Sequence, residues 1–247
     1  MRALLLAAGL GTRLRPITEA IPKCLVPIRG QPLLDYWLVN LAGAGVEEIL
    51  INTGYLSDLV RAHVRRSPWA NRITLVHEDR LLGTGGTVLA NRAFFGEESF
   101  LVIHADNLSA IDLDAFRQAH RGRKPDTDMT MALFRTDQPS NCGIVQLDSE
   151  GRVVEFHEKM ADPPGNLANG AVYIFEPEVF RRLARVGKPT IDLSTEIIPG
   201  YVGRIQSYEI TGYHRDIGTV EGLTRAEREY QPLRCRDASP DRNSEIQ

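Results

Sequence analysis

The chain opens on an apolar run, Ala3 to Ala8, that empties into Gly9-Leu10-Gly11-Thr12-Arg13-Leu14 and is followed by Pro22-Lys23-Cys24. A buried strand ending in a glycine loop commits the N-terminus to an α/β arrangement. Gly9 and Gly11 let the backbone turn sharply and bring its N–H groups against an anion with no Cβ in the way. Arg13 and Lys23 add positive charge, so the segment reads as a phosphate cradle. Two better-known cradles do not fit. The dinucleotide fingerprint G-x-G-x-x-G needs glycine where Leu14 stands, and no Gly-Lys-Ser/Thr follows at P-loop spacing. A plain glycine turn with incidental surface cations is the alternative, since such turns are common after strands.

Behind this loop the chain alternates. Strand-like runs at Glu48 to Asn52, Ile73 to His77 and Phe100 to Ile103 are separated by helical patterns over Leu33 to Ala42, Leu56 to Arg66 and Gly86 to Ala93. This βαβ rhythm predicts an α/β fold with a doubly wound, mostly parallel Rossmann-like sheet and ligands at the carboxyl ends of its strands. After about residue 125 the texture changes to a strand over Asp128 to Phe134 and a hairpin of Ile144 to Leu147 with Val153 to Phe156. A strand over Ala171 to Phe175 then meets a helix opened by Glu176-Pro177. The second half is therefore expected to add a mixed sheet to the same core. Residues 1–230 read as one domain, and residues 231–247 as a polar tail without apolar periodicity.

The bulk numbers bound the partners. A formal net charge of -3 leaves no broad basic face for nucleic acid, while local cations suffice for small phosphorylated ligands. The three cysteines show no C-x-x-C spacing, which predicts free thiols in a reducing, cytoplasmic setting. The N-terminal apolar run is too short for a signal segment, and no run is long enough to span a membrane. A homo-oligomer stays open.

Several polar groups sit where α/β sheets place ligands. Asp106 follows the run Phe100 to His104, and Asp216 stands in Arg215-Asp216-Ile217-Gly218-Thr219, immediately before a helix. Both read as carboxylates for a divalent metal, or else as helix caps or Asx turns. Glu78 to Thr87 is a second glycine-rich turn, with Thr84 placed to cap the following helix. Glu158-Lys159 closes the strand begun at Val153, where a solvated strand end is the alternative. His63, His77, His104, His120 and His214 share no ligand spacing and are expected in surface or core roles. No serine elbow points to covalent catalysis.

Ala7-Ala8-Gly9-Leu10-Gly11-Thr12-Arg13-Leu14, Pro22-Lys23 and Asp216-Ile217-Gly218-Thr219, taken in order, resemble the motifs of the sugar-1-phosphate nucleotidyltransferase family over about residues 1–230. The resemblance implies an enzyme that joins an NTP and a sugar-1-phosphate into an NDP-sugar and pyrophosphate. It implies Mg²⁺ on Asp106 and Asp216, catalytic roles for Arg13 and Lys23, and nucleotide contacts from Leu6, Ala7, Gly9, Gly11, Thr12, Glu78, Gly83 and Thr84. It assigns the sugar phosphate to Asn107, Gly143, Glu158, Lys159 and Asn169. The chain departs from the usual pattern at Ala105, Cys142 and His157, where relatives more often carry glycine, tyrosine and an acid.

Leu82-Gly83-Thr84-Gly85-Gly86 is similar to the corresponding segment of mannose- and heptose-1-phosphate guanylyltransferases, which favours GTP. A carboxylate at Glu78 would suit the adjacent N1 and N2 donors of guanine. UTP- or dTTP-dependent transfer, and a non-catalytic sugar-nucleotide-binding regulator, are the competing readings. A nicotinamide oxidoreductase would need the missing third glycine.

Overall fold

The computed structural model describes residues 1–231, so the tail expected over 231–247 lies outside the described residues apart from Gln231. Along the first half run β1 (Ala3–Leu6), α1 (Ile17–Ala20), β2 (Pro27–Ile28), β3 (Gln31–Pro32), α2 (Leu33–Gly43), β4 (Ile49–Thr53), α3 (Ser57–Arg66), β5 (Ile73–His77), α4 (Gly83–Ala90), α5 (Arg92–Phe95), β6 (Phe100–His104) and β7 (Asn107–Ser109). They are followed by α6 (Leu113–Arg121), β8 (Met129–Arg135), β9 (Gly143–Leu147), β10 (Arg152–Glu158), β11 (Leu167–Phe175), α7 (Val179–Val186), β12 (Ile205–Glu209), β13 (His214–Asp216) and α8 (Val220–Glu229).

Nine strands form one sheet in the order β5-β4-β1-β6-β11-β8-β12-β10-β9. The first four pair in parallel, as the βαβ rhythm predicts. From β11 onward antiparallel pairings join in, with β8 and β12 the one parallel pair of this half. The mixed half thus continues the same sheet. Strand side chains alternate between faces. Leu5, Ile51 and Ile103 pack with Trp37, Val60 and Phe116 on one face; Leu4, Leu50 and Val102 pack with Val88, Phe95 and Leu183 on the other. Covered on both sides, β1 and the first three residues of β4 can be apolar throughout, which is why they read as continuous runs.

The helix expected from Gly86 starts at Gly83 and breaks before α5. Gly83 adopts φ +76°, and a Cβ there would lie 2.5 Å from the Ile191 carbonyl oxygen. That carbonyl accepts the Gly85 N–H at 2.8 Å and the Gly86 N–H at 3.2 Å, so a distant loop satisfies the helix start. Thr84 is accordingly not the cap.

His120 is the buried polar hinge of the far side. Its Nδ1 meets Thr130 Oγ1 at 2.8 Å and its Nε2 meets Glu176 Oε1 at 2.9 Å, with Arg123 on the same carboxylate. Burial holds the imidazole pKa below its ordinary value, Arg123 adding to the effect against the pull of Glu176. The unfolded chain therefore takes up a proton below about pH 6.5 that the folded chain resists, and stability falls with pH through that window. The melting temperature of His120→Gln should decline less than wild type between about pH 6.5 and 5. Parallel slopes would remove His120 as the source.

Candidate active site

The β7–β13 ribbon joins residues more than a hundred positions apart: Asn107 pairs with Asp216, and the Ile217 N–H reaches the Asp106 carbonyl at 3.4 Å. Its apolar underside, Leu108 and Ile217, packs against Ile28, Leu33 and Tyr230. Asp216 therefore closes a strand, with three residues between it and α8, rather than abutting the helix. Its Oδ1 accepts the Gly218 N–H at 2.7 Å.

Between the two aspartates lies Lys23. It is 8% exposed, and its Nζ donates to Asp106 Oδ2 at 2.9 Å and to Asp216 Oδ1 at 3.2 Å. Arg13 Nη2, on the exposed side, donates to Asp216 Oδ2 at 3.3 Å. A Cβ on Gly218 would lie 2.8 Å from Arg13 Nη2, Asp216 Oδ1 and Lys23 Nζ alike, so the glycine leaves room for the whole cluster. The surrounding protein disfavours charge on Asp106, but the Lys23 ammonium outweighs this and holds its pKa below the usual carboxylate value. Two carboxylates that share one ammonium lie close enough to share one cation. Mg²⁺ is commonly held by one or two carboxylates, with waters and substrate phosphates completing its shell, so this pair fits it.

A cavity of about 170 Å³ opens from the β1 loop to the α4 turn. Leu6, Ala7, Gly9, Lys23, Glu78, Gly83, Thr84 and Asp106 are among its lining residues. Of the predicted nucleotide residues, Gly11 and Thr12 do not reach it. The Gly11 carbonyl is taken by Thr18 Oγ1 at 2.8 Å, and Thr12 starts a short helical turn. Arg13 lines a neighbouring cleft with Asp216.

Glu78 has protein partners already. Oε1 accepts from Thr87 Oγ1 at 2.6 Å and Asn52 Nδ2 at 3.0 Å, and Oε2 accepts the Leu82 N–H at 3.1 Å. One acceptor position on Oε2 is left, enough for a single base N–H unless a protein donor moves. Asn52, which sequence reasoning missed, also accepts the Ala7 N–H at 2.7 Å and so ties the β1 loop to this turn. An asparagine inside an apolar strand is the signal that could have found it, because a buried amide needs partners.

The second cavity, about 510 Å³, collects Asn107, Gly143, Glu158, Lys159 and Asn169, all five predicted sugar-phosphate residues, beside Asp106 and Asp216. Glu158 ends β10, where burial, with Asp192 nearby, raises its pKa. Lys159 is 3.6 Å from Glu158 Oε1, with a left-handed backbone of φ +49° and a side chain 69% exposed. Asn169 sits at the irregularity of β11; its Oδ1 accepts the Ala171 N–H at 2.9 Å, and its Nδ2 donates to Tyr173 Oη at 2.8 Å.

The further residues that face this cavity include His104, Asp192, Thr195 and His214. The two histidines were expected in surface or core roles. His214 Nδ1 meets Ser109 Oγ at 3.0 Å, and burial pushes its pKa down to about 4. Asp192 caps Thr195 and accepts from Thr84 Oγ1 at 3.3 Å, so Thr84 borders both cavities. Asp192-Leu193-Ser194-Thr195 carries a cap signal in sequence, but nothing local says that it faces a ligand cavity. Among the described residues no helix is long and apolar enough to cross a membrane.

Known proteins match both the sequence and this architecture. A mannose-1-phosphate guanylyltransferase of Mycobacterium tuberculosis is 33% identical over 228 residues, covering 90% of this chain and 62% of the relative. A glucose-1-phosphate thymidylyltransferase of Streptomyces griseus is 31% identical over 234 residues, covering 92% and 65%. The chain thus spans a little under two thirds of these relatives' length. Among solved structures, apo-UDP-glucose pyrophosphorylase superposes with a TM-score of 0.77 at 26% identity, covering 92% of this chain and 96% of that one. HddC from Yersinia pseudotuberculosis, complexed with GMP-PN, gives a TM-score of 0.77 at 24% identity over 93% and 99%. The Nucleotidyl transferase family pattern matches residues 2–232. With its motifs in order around one cleft and this match along nearly the whole described chain, the protein belongs to the nucleotidyl transferase family.

Proposed function

We propose that the protein joins an NTP and a sugar-1-phosphate into an NDP-sugar and pyrophosphate by in-line attack on the α-phosphorus. The observation that carries this reading is the Asp106–Lys23–Asp216 cluster at the junction of two cavities, one suited to a nucleotide and one to a sugar phosphate. A phosphomonoester dianion is a competent nucleophile near neutral pH, so the task of the protein is positioning and charge neutralisation. The incoming sugar phosphate meets Lys159, while Glu158 and Asn169 hold sugar hydroxyls. Lys23 neutralises the phosphates around the reacting centre, and Arg13 faces the leaving pyrophosphate. Asp106 and Asp216 would hold Mg²⁺, which supplies Lewis-acid stabilisation of phosphate charge when bound.

GTP is the preferred nucleotide in this reading. It is supported by the Leu82 to Gly86 segment; the one acceptor position left on Glu78 serves a single base N–H and does not separate guanine from uracil or thymine. A mannose-1-phosphate guanylyltransferase among the relatives agrees with it, and thymidylyltransferase relatives keep dTTP as the rival. The test is pyrophosphate release from mannose-1-phosphate and glucose-1-phosphate with each of the four common NTPs. A higher kcat/KM with UTP or dTTP than with GTP would overturn the base assignment, and no turnover with any pair would overturn the reaction.

Lys159→Ala should raise the KM for sugar-1-phosphate by about tenfold or more, with NTP binding nearly intact, because its charge faces only one of the two substrates. Arg13→Ala should show the opposite pattern. Calorimetry finding equal losses for both ligands in either variant would contradict this division.

A further inference from the structure

His104 occupies a place that neither packing nor the proposed chemistry explains. It ends β6 opposite Leu6 of β1, after four residues, Phe100 to Ile103, that are all fully buried and apolar. Its ring forms wall in both the nucleotide cavity and the sugar cavity. Its Nε2 is buried without a hydrogen-bond partner, one of only two such side-chain atoms among the described residues. An orphaned buried polar atom costs about 1–3 kcal/mol, and local rules are broken in this way chiefly at functional sites.

The surroundings narrow the ligand. The ring stands edge-on to Tyr173, with centroids 6.0 Å apart and an interplanar angle of 74°. Tyr173 in turn holds the Asn169 amide through its hydroxyl, so His104 and Asn169 flank one aromatic side chain and both face the sugar cavity. Phosphate oxygens at this junction already have Lys23 as a cationic partner. A neutral imidazole brings one donor and one acceptor, which matches a hydroxyl group, itself both. The other ring nitrogen, Nδ1, makes no hydrogen bond to the described residues and is not among the fully buried orphaned atoms, so it is the nitrogen open to a ligand.

We propose that His104 is a positioning residue that holds a ring hydroxyl of the sugar-1-phosphate. The inference rests on the transfer reaction proposed above. It makes His104, with Asn169, part of what orients the sugar relative to its own phosphate.

The test compares wild type, His104→Leu and His104→Gln as full chains, with Mg²⁺, GTP and whichever of mannose-1-phosphate or glucose-1-phosphate wild type turns over. His104→Leu is expected to raise the KM for that sugar-1-phosphate by about tenfold or more, the scale of losing one hydrogen bond to substrate, with the NTP KM within about twofold. Its melting temperature should stay level or rise, because an apolar side chain of similar size removes the orphaned atom. His104→Gln, which keeps a donor and an acceptor, should recover part of the loss. Among monodeoxy analogues of the same sugar-1-phosphate, the one lacking the held hydroxyl should be penalised by wild type and not by His104→Leu.

An unchanged KM for the sugar-1-phosphate overturns the assignment. So does a loss confined to the NTP KM, which would place the contact on the ribose, and so does a fall in melting temperature that tracks the loss of activity. Absence of turnover by wild type would instead overturn the reaction itself, a result distinct from an active wild type whose His104→Leu variant is indifferent.

Discussion

Asp106→Asn and Asp216→Asn are each expected to lower kcat by at least about a hundredfold while leaving the fold intact. The magnitude follows from removing charge stabilisation at a transition state inside a cleft, where one such group commonly accounts for a factor of about 10²–10³. Stability should change little by comparison. Breaking a buried ion pair is severe when it strands a charge, but here Lys23 keeps the other carboxylate as its partner. Steady-state kinetics at saturating Mg²⁺, read beside thermal unfolding of the same preparations, separates the two effects. Wild-type turnover in either variant would remove that aspartate from the reacting centre. A large drop in melting temperature would recast it as a structural member of the ribbon.

Lys23→Met should abolish turnover to a similar degree and, in the same protein, strengthen divalent-cation binding when no nucleotide is present. Lys23 Nζ stands within hydrogen-bond distance of both aspartates, in the space between them where a shared cation would sit. It therefore competes with any ion for the free enzyme and is free to turn to phosphate once nucleotide arrives. Replacing it with an uncharged side chain of similar reach leaves two facing carboxylates with only Arg13, at 3.3 Å from Asp216, as counter-charge. Like charges so close cannot both stay ionised without a cation, so proton uptake or metal binding must rise. Calorimetric titration of nucleotide-free protein with Mg²⁺ should show tighter binding in the variant than in wild type. Equal or weaker binding would mean that Lys23 does not hold the metal position. Retained turnover would remove it from the chemistry.

Much of the fold was legible because its signals are local. β1, β4, β5 and β6 are short apolar runs, and the intervening helices carry their own periodicity, so the parallel half and the hairpin of β9 with β10 could be read from neighbouring residues. The glycine loop, Lys23 and the two aspartates were legible as types of residue at strand ends. The extent of the sheet was not. β11 runs from Leu167 through an irregularity at Asn169, where Asn169-Gly170 looks like a strand boundary in sequence and Ala171 takes a left-handed backbone. Backbone pairing to β8 on both sides of the break, and to β9 at Ala168, decides the matter, and pairing is not a local property.

The site divides in the same way. From the sequence alone came the chemistry available: cations after a glycine loop, carboxylates at strand ends, a glutamate and lysine closing a hairpin. Only the tertiary structure decided how that chemistry is spent. All but one of the acceptor positions of Glu78 are taken by Asn52, Thr87 and Leu82 because β4 and α4 happen to face it. Lys23 bridges Asp106 and Asp216 because the ribbon register sets Asn107 against Asp216. His104, His214 and Asp192, silent as motifs, reach the sugar cavity because strands, ribbon and loop end on one side of the sheet. Residue type is written in the chain, but which groups are left free to meet a ligand depends on which partners the fold has already supplied.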